Sequence, residues 1–262
     1  MTLAALWIVA VCLGFLGLVF VLQGRLLYFP ARATVTELAS DRLQPWPSMQ
    51  DFRGLVAEPP GDVGGTVIVF HGNAGHAGHR AFYVQALAPL SYRVILAEYP
   101  GYGPRAGRPG EATLAADAGE AVALAHGQYG GPLLLLGESL GAAVAAAAER
   151  QREITTGLLL ITPWDRLPDV ASHHYPWLPV KWLLRDRCDT SARLARFDRP
   201  VVVVVVGLDD IVPAKFGVRL HSGRGGPRHL VTIGAAGHND WPGRVEAAWW
   251  RSVTDAGLGL AH

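Results

Sequence analysis

The sequence predicts an α/β protein in which a mostly parallel central sheet is covered by helices on both faces. Three observations indicate this fold class. After Pro30, short apolar segments alternate with longer segments of helical character, which is typical of βαβ units. Most of the short segments are apolar at successive positions, as strands buried on both faces are. One interval between two strand candidates is much longer than the others and indicates a small cap insertion.

Six segments are predicted as strands of this sheet. They are residues 66–72 (TVIVFHG), 92–99 (YRVILAEY), 132–138 (PLLLLGE), 157–163 (GLLLITP), 200–207 (PVVVVVVG) and 228–234 (RHLVTIG). Helix candidates lie between or after them, at residues 80–90, 111–129, 140–151, 214–222 and 242–255. The segment FRGLVAEPP, residues 52–60, is expected to add an antiparallel edge strand or a hairpin.

The long interval covers residues 163–199 and contains several prolines and three tryptophans, with one or two short helices expected in it. Because a structureless loop of that length is uncommon in a compact domain, we interpret it as a small cap over one edge of the sheet. The globular domain then extends over residues 51–262, a length that suits one large domain.

The N-terminal segment differs in kind from the rest of the chain. Residues 3–23 carry no charge, and about 20 such residues are what a helix needs to cross a bilayer. A signal peptide is the alternative, but no basic residue precedes the apolar run, which is longer than a usual signal core. We therefore predict a transmembrane anchor at residues 1–24, followed by a juxtamembrane segment at residues 25–50. Arg25 and Arg32 follow the span, so the positive-inside rule favours a cytoplasmic domain, with a periplasmic or extracellular one as the alternative.

The composition excludes other classes of function. A formal net charge of +1, with no basic run among aromatic residues, gives no electrostatic reason for binding nucleic acid. Cys12 falls within the apolar span, so no disulfide with Cys188 is expected. The sequence gives no indication of oligomeric state.

The pentapeptide GESLG, residues 137–141, has the pattern G-x-S-x-G between a predicted buried strand and a predicted helix. That context is the nucleophile elbow, a strained turn that exposes a serine hydroxyl at the end of a strand. Gly137 and Gly141 would flank a turn too tight for side chains. Ser139 is the predicted nucleophile. The alternative is a small residue in a glycine-rich loop, because the pentapeptide alone is a weak signal.

A nucleophilic serine needs a base, and the base needs a group that orients it. GLDDIVP follows the strand at residues 200–207, and GAAGHNDW follows the last strand, so both lie at carboxyl ends, where open α/β sheets bind ligands. His238 is the predicted base, and one aspartate of the pair Asp209 and Asp210 is the predicted acid. The alternatives are an ordinary loop histidine and turn or helix-capping acids.

The oxyanion of an acyl-transfer reaction needs two backbone N–H donors. The residue after the nucleophile, Leu140, is one predicted donor, and Asn73 in the loop HGNAGHAGH is the other. His71, His76 and His79 in the same loop lack i, i+4 spacing, and no cysteine or acidic ligand accompanies them. We predict neither a metal site nor a cofactor.

Taken together, HGNAG, EYPGYGP, GESLGAAVA, DDIVP and GHND resemble, in order, the landmarks of the α/β-hydrolase superfamily, from about Phe52 onward. With the apolar span and the segment LLYFP, the resemblance extends to membrane-anchored serine hydrolases that are serine aminopeptidase-like, lipase-like or depalmitoylase-like. The family's catalytic acid usually precedes the VP proline by four positions, which favours Asp209. Only one residue separates Gly207 from Asp209 where two are common, and this departure keeps Asp210 open.

The resemblance and the residues lead to one expected function with two alternatives. We expect a membrane-anchored serine hydrolase that cleaves carboxylic ester or thioester bonds of small or lipid-like acyl substrates, using Ser139, His238 and Asp209. An amidase or aminopeptidase is the alternative within enzymes. A non-catalytic binding protein that keeps the fold is the alternative in a different class.

Overall fold

The computed structural model describes residues 2–260, and it confirms the α/β-hydrolase fold. Its centre is an eight-stranded sheet. The strands of this sheet are β2 (Gln44–Pro47), β3 (Phe52–Ala57), β4 (Gly65–Phe70), β6 (Tyr92–Ala97), β7 (Leu133–Glu138), β8 (Gly157–Ile161), β9 (Val201–Val206) and β10 (Arg228–Ile233). Their order across the sheet is β10-β9-β8-β7-β4-β6-β3-β2. The six strands from β10 to β6 are parallel, while β3 is antiparallel to both β6 and β2.

A second, two-stranded sheet pairs β1 with β5 in parallel. These strands are β1 (Phe29–Pro30) and β5 (Ala74–Gly75). The α-helices are α1 (Leu3–Leu27), α2 (Val35–Leu38), α3 (Phe82–Leu87), α4 (Glu111–Tyr129), α5 (Leu140–Ala147), α6 (Leu167–His174), α7 (Val180–Leu183), α8 (Thr190–Leu194), α9 (Ala214–Ser222) and α10 (Ala247–Gly257).

The sheet separates two hydrophobic cores, and successive residues of each central strand belong to opposite ones. In β4, Ile68 and Phe70 pack into the core that contains α4, α5 and α9. Val67 and Val69 pack into the core that contains α3 and α10. All six residues of β4 are buried. Burial on both faces is the physical reason why the predicted strands are apolar at every position.

Three predicted helices are interrupted by tighter turns. The segment at residues 80–90 is divided into a 3₁₀ turn at Ala77–Arg80, the helix α3, and a 3₁₀ turn at Ala88–Leu90. Pro89 lacks the N–H that an α-helix would need there. Helix α5 ends at Ala147 before a 3₁₀ turn, and a 3₁₀ turn at Trp241–Arg244 precedes α10.

The insertion at residues 163–199 contains three short helices, one more than the sequence predicts. Helices α6 and α7 pack together, and α8 packs against α5, the helix that follows the GESLG turn. Helix α7 also packs against α1. The insertion therefore contacts both the globular domain and the apolar N-terminal helix.

Helix α1 is 25 residues long, and its apolar window has a mean hydropathy of 2.8 with no part of it buried. It is long and apolar enough to cross a membrane. Near its C-terminal end, the Gln23 side chain donates to the Leu183 carbonyl (3.2 Å) and accepts from the Arg185 N–H (2.8 Å). The helix is thus joined to the insertion by paired polar groups.

Candidate active site

Ser139 lies on a strained turn between β7 and α5. Its φ of 54° and ψ of −114° fall in a region that residues with side chains rarely adopt. A Cβ at Gly141 would overlap the Phe70 carbonyl oxygen, and a Cβ at Gly137 would overlap the Gly141 carbonyl oxygen. Both glycines are therefore required by close backbone approach, and the turn brings α5 against the end of β4.

The sheet brings Ser139, His238 and Asp209 together in one hydrogen-bonded series. Ser139 Oγ lies 3.1 Å from His238 Nε2, and His238 Nδ1 lies 2.7 Å from Asp209 Oδ2. The Asp209 carboxylate accepts, so Nδ1 carries the proton and Nε2 is left to face the serine hydroxyl. This is the arrangement that a general base needs in order to take a proton from serine.

The two adjacent aspartates have different surroundings. Asp209 is buried, and its other oxygen, Oδ1, accepts the backbone N–H groups of Ile211 (3.0 Å) and Val212 (2.7 Å). Asp210 is exposed. Three hydrogen bonds fix the Asp209 carboxylate against His238, whereas the Asp210 side chain makes none among the described residues.

Asn73 and Leu140, the two predicted oxyanion donors, flank the same end of the sheet. Leu140 is the first residue of α5, where backbone N–H groups have no partner within the helix. Asn73 follows β4 by three residues. Across residues 2–260, neither N–H donates to a backbone or side-chain acceptor. Two N–H groups without a protein acceptor among the described residues are what the predicted oxyanion hole requires.

The histidines of the HGNAGHAGH loop have separate partners. His71 is buried, with Nε2 3.1 Å from Glu98 Oε1 and Nδ1 2.7 Å from the Gly72 carbonyl oxygen. His76 and His79 stack on each other with ring centroids 3.7 Å apart. Burial, followed by the neighbouring His79, lowers the pKa of His76. No group of three metal-ligating side chains converges among the described residues.

The loop EYPGYGP is hydrogen-bonded to the HGNAG loop through two tyrosine side chains. Tyr99 donates its hydroxyl to the His71 carbonyl (2.7 Å), and Tyr102 donates to the Asn73 carbonyl (2.8 Å). Burial raises the pKa of both tyrosines, which keeps each hydroxyl protonated as a donor. The two tyrosines of EYPGYGP therefore tie this loop to the HGNAG loop.

Sequence reasoning missed a polar cluster beside the elbow. Glu138, the residue before Ser139, accepts from Arg80 Nε (3.2 Å), from Arg80 Nη2 (3.1 Å) and from the Tyr83 hydroxyl (2.9 Å). The signal available in the sequence is a charged residue within an otherwise apolar strand, which requires a partner when buried.

The insertion presents exposed aromatic side chains, one of which contacts α1. Tyr175, Trp177 and Trp182 are 53%, 68% and 87% exposed, respectively. The Trp177 ring stacks on Phe15 of α1, with centroids 6.1 Å apart. An exposed apolar patch of this kind is typical of a surface that meets a membrane or another apolar partner.

The fold is that of an α/β-hydrolase, and comparison with known proteins gives the same class. The chain belongs to the α/β-hydrolase superfamily, in the family described as Serine aminopeptidase, S33, whose sequence model matches residues 61–196. It is a hydrolase of that superfamily.

Three similar proteins illustrate the range of relatives. The uncharacterized protein Rv2307c of Mycobacterium tuberculosis is 37% identical over 228 residues, which cover 83% of this chain and 81% of the relative. The lysophosphatidylserine lipase ABHD12 of Macaca fascicularis is 27% identical, over 60% of this chain and 44% of the relative. The monoacylglycerol lipase of Paleococcus ferrophilus has a similar structure, with a TM-score of 0.59, 18% identity, and coverage of 79% of this chain and 98% of that one.

Proposed function

We propose that this chain is a membrane-anchored serine hydrolase that cleaves carboxylic ester or thioester bonds of acyl substrates. The observation that carries the proposal is the series from Asp209 through His238 to Ser139, with contacts of 2.7 and 3.1 Å at the carboxyl ends of three strands. A serine on a strained turn with a correctly oriented base is the arrangement that acyl transfer needs.

In the proposed reaction, Ser139 Oγ attacks the substrate carbonyl carbon while His238 Nε2 takes the hydroxyl proton. The N–H groups of Asn73 and Leu140 stabilise the oxyanion of the tetrahedral intermediate. The intermediate collapses to an acyl-enzyme, and the leaving alcohol or thiol receives the proton from His238. Water, deprotonated by the same histidine, then releases the acid and restores Ser139. Asp209 keeps Nδ1 protonated and stabilises the imidazolium without itself gaining a proton.

Lipid-like substrates are supported by the apolar surface around α1. In this proposal α1 spans the bilayer, and the Trp177 ring of the insertion stacks on its side at Phe15. The named activity of ABHD12, a lysophosphatidylserine lipase, agrees with an acyl substrate carried by a membrane. Arg25 and Arg32 support a cytoplasmic location of the domain.

An amidase or aminopeptidase is the second candidate, favoured by the description of the matched family. An aminopeptidase needs an acidic group that binds the substrate's amino terminus. Outside the triad, two carboxylates beside the elbow and the HGNAG loop are already engaged: Glu138 is bound by Arg80 and Tyr83, and Glu98 lies against His71. This engagement favours the ester or thioester substrate.

Labelling of the full-length protein in detergent micelles with a fluorophosphonate probe tests the proposal. Wild type should label and hydrolyse an activated ester, Ser139→Ala should do neither, and Ser222→Ala, a change at an exposed serine on α9, should behave as wild type. A wild type that never labels and hydrolyses nothing would identify a non-catalytic binding protein. Acyl esters of graded chain length, assayed beside aminoacyl amides, separate the two enzymatic candidates by their kcat/KM values.

A further inference from the structure

The end of the apolar helix pairs directly with the HGNAG loop, residues 71–75. Residues 27–31, here called the junction segment, contain the last residue of α1 and the strand β1. Phe29 pairs with Ala74 and Pro30 with Gly75 in parallel register, so β1 and β5 form a small sheet of their own. The segment that leaves the proposed membrane anchor is therefore part of the candidate active site's framework.

Asn73 forms two hydrogen bonds with the junction segment and a third with a tyrosine. The Phe29 N–H donates to the Asn73 carbonyl oxygen (2.9 Å), and the Asn73 side-chain amide donates to the Leu27 carbonyl oxygen (3.0 Å). Tyr102 donates its hydroxyl to the same Asn73 carbonyl (2.8 Å). The next residue pair repeats the pattern, because the Ala31 N–H donates to the Gly75 carbonyl (2.9 Å).

The junction segment is itself fixed on its other side. Tyr28 is buried in the larger core, and its hydroxyl donates to Asp186 of the insertion (2.8 Å). Burial, with Asp186 nearby, raises the pKa of Tyr28, so the hydroxyl remains a donor. The Ala31 carbonyl accepts the Gly103 N–H (2.9 Å). The segment thus lies between the insertion and the EYPGYGP loop.

The orientation of one peptide unit decides whether Asn73 can serve as an oxyanion donor. The Gly72 carbonyl accepts from His71 Nδ1 at 2.7 Å. In a planar trans peptide the N–H points opposite to the carbonyl, so this contact directs the Asn73 N–H to the other side. The hydrogen bonds to the Asn73 carbonyl and from its side chain fix the orientation of the next peptide unit, between Asn73 and Ala74. A donor held in this way stabilises an oxyanion without reorganisation during the reaction.

We propose that the junction segment is a positioning element of the oxyanion hole, which makes the end of the membrane helix part of the acyl-transfer machinery. This inference rests on the proposed function. Leu27 and Phe29 touch no substrate; they act through Asn73. Loss of their contacts should weaken transition-state binding while leaving ground-state substrate binding nearly intact.

The experiment compares Phe29→Pro, which removes the N–H that holds Asn73, with Phe29→Ala, which keeps it and loses only the ring. Both are assayed as full-length protein in micelles, with the active fraction counted by fluorophosphonate titration. Relative to Phe29→Ala, we expect kcat of Phe29→Pro to fall about tenfold or more with little change in KM. The inhibition constant of an alkyl boronic acid, whose tetrahedral adduct occupies the same hole, should rise by the same factor.

Asn73→Ala is the second variant, because it removes the bond to Leu27 without altering any backbone donor. It should show the same split between kcat and KM and the same weakening of the boronic acid. The inference alone would be overturned if Asn73→Ala matched wild type and Phe29→Pro matched Phe29→Ala. The quantities compared are kcat per active site and the inhibition constant of the boronic acid. A wild type that reacts with no probe contradicts the proposed function, and the inference falls with it.

Discussion

The Arg80 guanidinium forms two hydrogen bonds with the Glu138 carboxylate, and Glu138 is the residue immediately before Ser139. Side-chain exposure is 18% for Arg80 and 12% for Glu138, so the pair is mostly removed from water. Arg80 is the last residue of the 3₁₀ turn Ala77–Arg80, which connects the HGNAGHAGH loop to α3. The ion pair therefore links the turn that carries Ser139 to the end of the loop that carries Asn73.

Arg80→Gln should destabilise the fold, because it leaves the Glu138 charge with the Tyr83 hydroxyl as its remaining partner. We expect the free energy of unfolding to fall by about 1–3 kcal/mol, measured by denaturant titration in micelles. The matched control is Arg244→Gln, since Arg244 pairs with Asp240 at 3.3 Å with both side chains more than half exposed. That change should cost less than about 0.5 kcal/mol. Equal effects in the two variants would contradict the prediction.

Replacing Gly141 tests the close approach of α5 to β4. In Gly141→Ala, the new methyl group would overlap the Phe70 carbonyl oxygen, and we expect a loss of about 3 kcal/mol or more. Gly119→Ala is the control, because a Cβ at Gly119 in α4 meets nothing within 4 Å. That change should raise stability by about 0.5–1 kcal/mol through helix propensity. Thermal unfolding of both variants, monitored by circular dichroism, shows whether the two changes in stability have opposite signs.

The choice between the two aspartates has a kinetic test. Asp209→Asn should lower kcat by about four orders of magnitude, because an amide can donate to Nδ1 and hold the histidine in the wrong tautomer. Asp210→Asn should stay close to wild type, since the Asp210 side chain is exposed. Rates of ester hydrolysis per labelled site give both values. Activity retained in Asp209→Asn and lost in Asp210→Asn would reverse the assignment.

Contact between the insertion and lipid is measurable by fluorescence quenching. Phe15 and Gln23 are about 12 Å apart along α1, so the Trp177 ring on Phe15 should lie below the membrane surface. In vesicles with brominated acyl chains, we expect Trp177→Phe and Trp182→Phe to reduce the quenched fraction of the emission. Trp249→Phe, a change at a partly buried tryptophan on the opposite side of the sheet, should not reduce it. Equal quenching in all three variants and wild type would exclude lipid contact of the insertion.

The parallel strands and the longer helices could be predicted because their buried positions are occupied by apolar residues in a recognisable pattern. The run of six valines in β9 is buried throughout, and α4 begins and ends where its pattern predicts. The chain order of Ser139, Asp209 and His238 could be predicted as well, because each follows a strand whose carboxyl end the fold brings to one edge. In the structure, these three residues are joined by two hydrogen-bond contacts, from Asp209 to His238 and from His238 to Ser139.

The remaining features depend on partners that are distant along the chain. Phe29 and Pro30 become a strand only because Ala74 and Gly75 lie beside them, and a two-residue strand leaves no periodic signal. The edge strand β2 contains Pro45 and Pro47, and prolines in a segment argue against a strand when only the sequence is known. An edge position nevertheless tolerates them. The third helix of the insertion is five residues long, too short for a periodic pattern.

A single residue, Tyr28, separates the end of α1 from β1, and both neighbours of that residue are bonded to Asn73. In a bilayer, the proposed anchor would hold Ser139 at a set height above the lipid surface, because a single residue connects α1 to β1. In the proposed enzyme, that height would favour acyl bonds that lie at the matching depth of the bilayer. A thicker bilayer that draws α1 inward would therefore act directly on Asn73, the residue that both neighbours of Tyr28 contact.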